Sequence, residues 1–174
     1  ARREVVDWCN ETFGDVDDGT VVSVQIAAGW FIEGILKRFR RSSLCIIDYG
    51  ASSNDLAHRD SASLVRTYRG HQTGHDWLET PGATDITVDV NLTAIEAVVV
   101  RSGARVETST QRDFLIGLGA AERIEEARER ENLHAANGDV MSQLVARSER
   151  ISIEALIDED GLGGFRVITI ESGT

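Results

Sequence analysis

"SSLCIIDYGASSNDL", residues 42–56, decides how the rest of the chain is read. Leu44, Cys45, Ile46 and Ile47 run without polar alternation into an acid, an aromatic residue and a glycine. Such a run reads as a strand covered on both faces, which would place it centrally in a parallel sheet. Cys45 inside it then reads as a buried free thiol. Ligands of open α/β sheets bind beyond the carboxyl ends of strands, where Asp48, Tyr49 and Gly50 would sit. The competing reading is local: a strand-end Asp can bond its own turn, with Gly50 supplying the unusual backbone angle.

Upstream, residues 2–13 fit a helix to which Val5, Val6, Trp8 and Phe13 give the apolar contribution. "DVDDGT" is a turn, and "VVSVQI" (21–26) reads as a strand from its β-branched content. Over 27–40 the period changes, and Ala28, Phe31, Ile32, Ile35 and Phe39 fall on one helical face. Lys37, Arg38, Arg40 and Arg41 gather at its end, where positive charge suits the helix dipole.

Downstream, residues 50–83 carry many Gly, Ser, His and Asp and the single proline, Pro81. They show little periodicity and read as a long functional loop. "ATDITVDV" is extended, and Asn91 or Asp89 caps a helix reaching about residue 102, with Leu92, Ile95, Val98 and Val99 facing inward. Gly103 stops it. "ARVETST" is the next strand, and Thr110-Gln111-Arg112-Asp113 has capping-box spacing, which makes Phe114–Leu118 helical. Residues 120–158 read as mostly helical and charged outside, interrupted at Asn137-Gly138. "GLGG" (161–164) turns the chain into a final strand, "FRVITI". Alternating strands and helices predict a single α/β domain with a mostly parallel sheet.

The bulk properties narrow the function. A net charge of −11 over 174 residues argues against nucleic acid, whose phosphates need a basic surface. Two cysteines make no disulfide framework, which fits a reducing compartment. No apolar stretch reaches the length of a membrane span and no signal peptide is visible. A bacterial cytoplasm or a mitochondrial matrix is therefore expected, and the Asn10 and Asn91 sequons read as chance matches. The chain opens "ARREVVDWCNETF" without an initiator Met, which reads as the later part of a longer protein.

"RTYRGHQTGHDW" (66–77) holds His71 and His75 at a spacing that would serve a metal on a helix. Gly70 and Gly74 argue against a helix and no third ligand is close in sequence, so no metal is expected. His71 fits better as a hydrogen-bond partner of Asp85, as a group that orients a substrate, or as a simple loop histidine. "FLIGLGAAERIEEA" (114–127) imitates a dinucleotide loop, but Glu122 stands where the third glycine belongs and no strand-end acid follows. "GLGG" precedes a strand and opens no helix, so it is a turn and not a phosphate cradle. No Ser-His-Asp or Cys-His arrangement can be inferred.

The ordered set "IDYG", "YRGH", "PGATDITVDVN", a Gly-terminated helix, "TQRDFLIGLG" and "GGFRVITI" resembles the MidA-like S-adenosylmethionine-dependent methyltransferases. Their mitochondrial relatives are arginine methyltransferases that assist assembly of respiratory complex I. The resemblance covers almost the whole chain and implies the later strands of a Rossmann-like class I methyltransferase sheet, with a substrate-side loop at 50–83 and a helical insertion at 110–158. Two departures stand out: "QTGHDWLETPG" replaces a proline-bearing loop, and Leu162-Gly163 replaces a Met-Gly.

The resemblance further implies S-adenosyl-L-methionine as cofactor and a protein acceptor, with the Gly-rich loop that holds the cofactor lying before residue 1. It makes Asp48, Tyr49, His71 and Asp85 the candidate catalytic residues on the substrate side. The carboxylates of Asp48 and Asp85 would grip an arginine guanidinium in fork geometry, with Tyr49 and His71 orienting it. A non-catalytic interaction module that binds through 50–83 is the alternative. An unpaired sheet edge would in either case invite a homodimer.

Overall fold

The computed structural model describes residues 2–39, 41–70, 72–74, 77–78 and 82–173. His71, His75 and Pro81 lie outside the described residues. The chain forms a mixed α/β structure of two compact units, one built from residues 1–44, 48–106 and 169–174, the other from 45–47 and 107–168.

In the first unit, α1 (Arg3–Phe13) and α2 (Ile26–Arg38) precede the strand region. The stretch 21–25 forms no strand. Gln25, at the N-cap of α2, uses both ends of its side-chain amide. Nε2 donates to the Asp89 carbonyl at 2.7 Å and Oε1 accepts from the Asn91 amide at 2.9 Å. A side chain thus makes the backbone-like bonds that a strand would have made. On α2, Ile32 is buried, whereas Phe31 and Phe39 are exposed. Ala28 and Ile35 of the predicted face are half-buried, and the covered side extends to Gly29, where an added Cβ would come 3.1 Å from Val98.

The segment 50–83 is not a structureless loop. It contains β2 (Gly50–Ala51), α3 (Ser53–Ala57), β3 (Arg66–Arg69) and β4 (Gln72–Gly74). Beyond it, β5 (Asp85–Thr87) and β6 (Val90–Asn91) lead into α4 (Leu92–Arg101). β6 pairs in parallel with β2, while β4, β3 and β5 form a separate antiparallel sheet in that order. Helix α4 buries Leu92, Ile95, Val98 and Val99, the predicted stripe. Asn91 is its cap: Oδ1 accepts from the Ala94 amide and from the Ser53 hydroxyl.

A third sheet has the order β1 (Ser42–Asp48), β8 (Arg166–Ser172), β7 (Arg105–Thr110). Ser42 at the start of β1 bonds Ser172 at the end of β8 at 2.7 Å. The amide of Gln111, just past β7, donates to the carbonyl of Phe165, just before β8. β8 therefore runs against both neighbours and separates them, which corrects the expectation of a mostly parallel sheet. Among the described residues β1 pairs on one side only, and its side chains alternate between half-buried and exposed. Cys45 is exposed, not buried. A continuous apolar run is compatible with coverage on two faces but does not create it; the covering layer must be supplied from elsewhere.

In the second unit, Thr110 caps α5 (Gln111–Gly117), its hydroxyl accepting from the Asp113 amide at 3.0 Å. The hairpin of α6 (Ala120–Ala136) and α7 (Val140–Leu156) follows, with Gly138 in the left-handed region at the turn. Ile124, Ala127 and Ala146 are its buried residues.

Candidate functional site

Asp48 closes β1, and its Oδ1 accepts a hydrogen bond from the Tyr49 amide at 2.7 Å. This is the local strand-end arrangement, and it leaves the Tyr49 phenol half exposed, at 47%. Gly50 follows because nothing larger fits: an added Cβ would stand 2.7 Å from a Leu92 methyl and 3.2 Å from the Val90 carbonyl. The sharp exit from β1 into β2 is thereby fixed, and the phenol is directed to the surface.

The β4-β3-β5 sheet brings further chemistry to that phenol. Side chains alternate across a strand, so Arg66 and Tyr68 share one face of β3 while Thr67 is buried on the other. Tyr68 pairs with Asp85, and Arg66 pairs with Thr87. The Arg66 guanidinium carbon lies 5.4 Å from the centroid of the Tyr49 ring, a cation–π distance. Arg66 also donates to Oδ1 of Asp89.

Asp89 anchors the arrangement. Its side chain is 10% exposed, and it accepts from Arg66 and, through the other oxygen, from Arg59. Burial opposes its ionisation, but the hydrogen bonds and charges of the two arginines outweigh that, and its pKa is lowered below the ordinary aspartate value. For Arg66, burial likewise opposes the charged form and is outweighed by Asp89, so its pKa is raised.

Of the residues predicted from the sequence, Tyr49 thus meets Arg66, and Asp85 stands in register with Tyr68 on the neighbouring strand. Asp48 stands beside Tyr49, engaged with that residue's backbone, and His71 lies outside the described residues. Sequence reasoning missed Arg66, Tyr68 and Asp89. Two of these stood inside the quoted "RTYRGH", but nothing local marks which strand they face. Asp89 was weighed only as a helix cap, a role Asn91 takes.

A polar cleft of about 410 Å³ lies in the same unit, lined among others by Asp15, Asp17, Ser52, Ser53, His58 and Thr93. Among the described residues, none of the predicted site residues lines it. Gly161–Gly164 is packed shut as a turn, since a Cβ at Gly163 would come 2.6 Å from the Ile157 carbonyl carbon. Gly119 adopts the left-handed conformation that caps α6.

The fold is that of a mixed α/β protein with an aromatic and charged site at the carboxyl end of a strand. Residues 2–110 match the family described as "Putative S-adenosyl-L-methionine-dependent methyltransferase". That match takes in more than half of the chain and every residue of the site above, and the chain belongs to this family. No curated protein matches the chain.

Among solved structures it is similar to a COG1565 superfamily member from Burkholderia thailandensis bound to S-adenosyl-homocysteine, with a TM-score of 0.74 and 27% identity. The similarity covers 99% of this chain and 42% of that one. It is also similar to a native structure of a protein of that superfamily from the same organism, with a TM-score of 0.72, 28% identity, and coverage of 91% and 40%. The chain therefore spans about two fifths of the length of these relatives. Among the described residues no helix is long and apolar enough to cross a membrane.

Proposed function

We propose that this chain is the acceptor-facing part of a MidA-like, S-adenosyl-L-methionine-dependent methyltransferase that modifies a protein on arginine. The observation that carries the reading is the family match over residues 2–110, the stretch that contains Asp48, Tyr49, Arg66, Asp85 and Asp89. The similar structure holding S-adenosyl-homocysteine supports S-adenosyl-L-methionine as the cofactor.

The residues described above are assigned to the acceptor and not to the donor. The cofactor supplies a sulfonium methyl group. The chain's own contribution is alignment, which is worth more in such a displacement than a strong base. Asp48 and Asp85 are exposed carboxylates suited to a guanidinium fork. Tyr49 and Tyr68 offer aromatic faces on which a guanidinium can stack.

The test is transfer of labelled methyl groups by the full protein to arginine-bearing peptides, read by mass spectrometry. Methylarginine that is strongly reduced in both Asp48→Ala and Asp85→Asn is expected. Full-strength transfer in both variants would remove those residues from the site, and transfer only to lysine would overturn the arginine assignment.

A further inference from the structure

We propose that Arg66 is a positioning residue of the acceptor site: anchored by Asp89, its guanidinium sets the ring of Tyr49 and the phenol of Tyr68 as two fixed walls. The inference rests on the reading of Tyr49 as a site residue and adds a group that the sequence did not reveal.

Two contacts meet on one guanidinium, with Tyr68 on the same face of β3. The Tyr49 ring lies at 5.4 Å, and Asp89 accepts a hydrogen bond from the same group. Both aromatic residues are partly open to solvent, Tyr49 at 47% and Tyr68 at 39%, while the Arg66 side chain is only 25% exposed. A half-buried cation fixed beneath two accessible phenols holds them without competing for the outward surface.

Arginine is required for geometric reasons. A planar fork can bond a carboxylate edge-on while it lies over a ring, whereas an ammonium is a point charge without that plane. Thr67 on the buried face of β3 and the pairing of Tyr68 with Asp85 keep the strand from rotating these groups away. Asp85, opposite Tyr68 on the same face, then stands beside the walls that Arg66 sets. Arg69, on the same strand and exposed, serves as a control of equal charge.

The experiment has a spectroscopic and a kinetic part. In the 174-residue chain, tyrosine ring signals and the arginine Nε–H signals are recorded by NMR for the wild type, Arg66→Met, Arg66→Lys, Tyr49→Leu and Arg69→Met. The ring signals of Tyr49 and Tyr68 should move in both Arg66 variants and stay in place in Arg69→Met. The Arg66 Nε–H signal should lose its ring-current shift in Tyr49→Leu. Arg66→Lys keeps the charge and so remains informative if Arg66→Met fails to fold.

In the full protein, both Arg66 variants should lower kcat/KM for the acceptor by roughly tenfold to a hundredfold, the effect of slight misplacement, with KM for the cofactor unchanged. Unmoved rings in the Arg66 variants would overturn the proposal. So would moved rings with acceptor kinetics equal to wild type. A wild-type protein that transfers no methyl group at all would instead overturn the methyltransferase reading, whatever the ring signals do.

Discussion

The Asp89 cluster of the first unit and the α6–α7 hairpin of the second both rest on arginine–carboxylate pairs, yet the pairs differ in what they can do. In the hairpin, Glu149 bridges Arg123 and Arg130 at 2.8 and 2.6 Å, and Glu131 meets Arg147 and Arg150 at 3.3 and 3.0 Å. Glu149's pKa is lowered, chiefly by its bond to Arg130. The Glu149 pairs reach open arginines, Arg123 at 61% and Arg130 at 45% exposure, where water and salt offset nearly all of the attraction. Asp89 has the same two-arginine pattern in a site that is nearly closed to solvent, and there the loss of one partner strands the others; in the hairpin, Glu131 and Arg150 are comparably enclosed. The contrast is therefore between the Glu149 and Asp89 pairs: the same residue types decorate one and organise the other.

Asp89→Ala should have the largest effect. Leaving Arg59 and Arg66 without their shared carboxylate should destabilise the first unit by about 3 kcal/mol. Trp8, Trp30 and Trp77 all belong to that unit, so tryptophan fluorescence during urea unfolding reports on it. The pH dependence has a definite sign. The folded-state pKa of Asp89 lies below its unfolded value. Its contribution is therefore complete above the ordinary aspartate value and is lost as pH falls through the lowered one. Asp89→Asn should flatten that acid limb, and an unchanged limb would place the acid sensitivity elsewhere.

Smaller effects separate the two regions further. Thr110→Ala, which removes the cap of α5, should cost about 1 kcal/mol, seen in the helical circular dichroism signal. Glu149→Gln should shift the hairpin's unfolding least of all, and the little it shifts should vanish in high salt. A shift as large as that of Asp89→Ala would erase the distinction between surface and enclosed pairs.

The contrast also explains what could be read from the sequence. The hairpin, the Thr110 cap and the inward stripe Leu92, Ile95, Val98 and Val99 depend on neighbours within one or two helical turns, and all were legible. Asp89's partners lie 23 and 30 positions away, and Gln25 reaches Asp89 and Asn91 across 64 and 66. No local pattern encodes such pairings. "VVSVQI" failed as a strand because β propensity needs a pairing partner to be realised, and Gln25 met the available backbone groups first. The run at Leu44–Ile47 was correctly a strand, but its coverage depends on what pairs beside it. Tyr49 and Asp85 were singled out as candidates through the order of motifs, while Arg66 became a candidate only when β3 and β5 fixed which face it shares.

The most direct test of the account is calorimetric titration of S-adenosylhomocysteine into the full protein, comparing wild type with Asp85→Asn and Arg66→Lys. The account predicts saturable binding of equal affinity in all three, because the altered residues serve the acceptor and not the donor. Absence of saturable binding in the wild type would contradict the methyltransferase assignment. Wild-type binding abolished by either substitution would contradict the division of the site into a donor side and the acceptor side that these residues form.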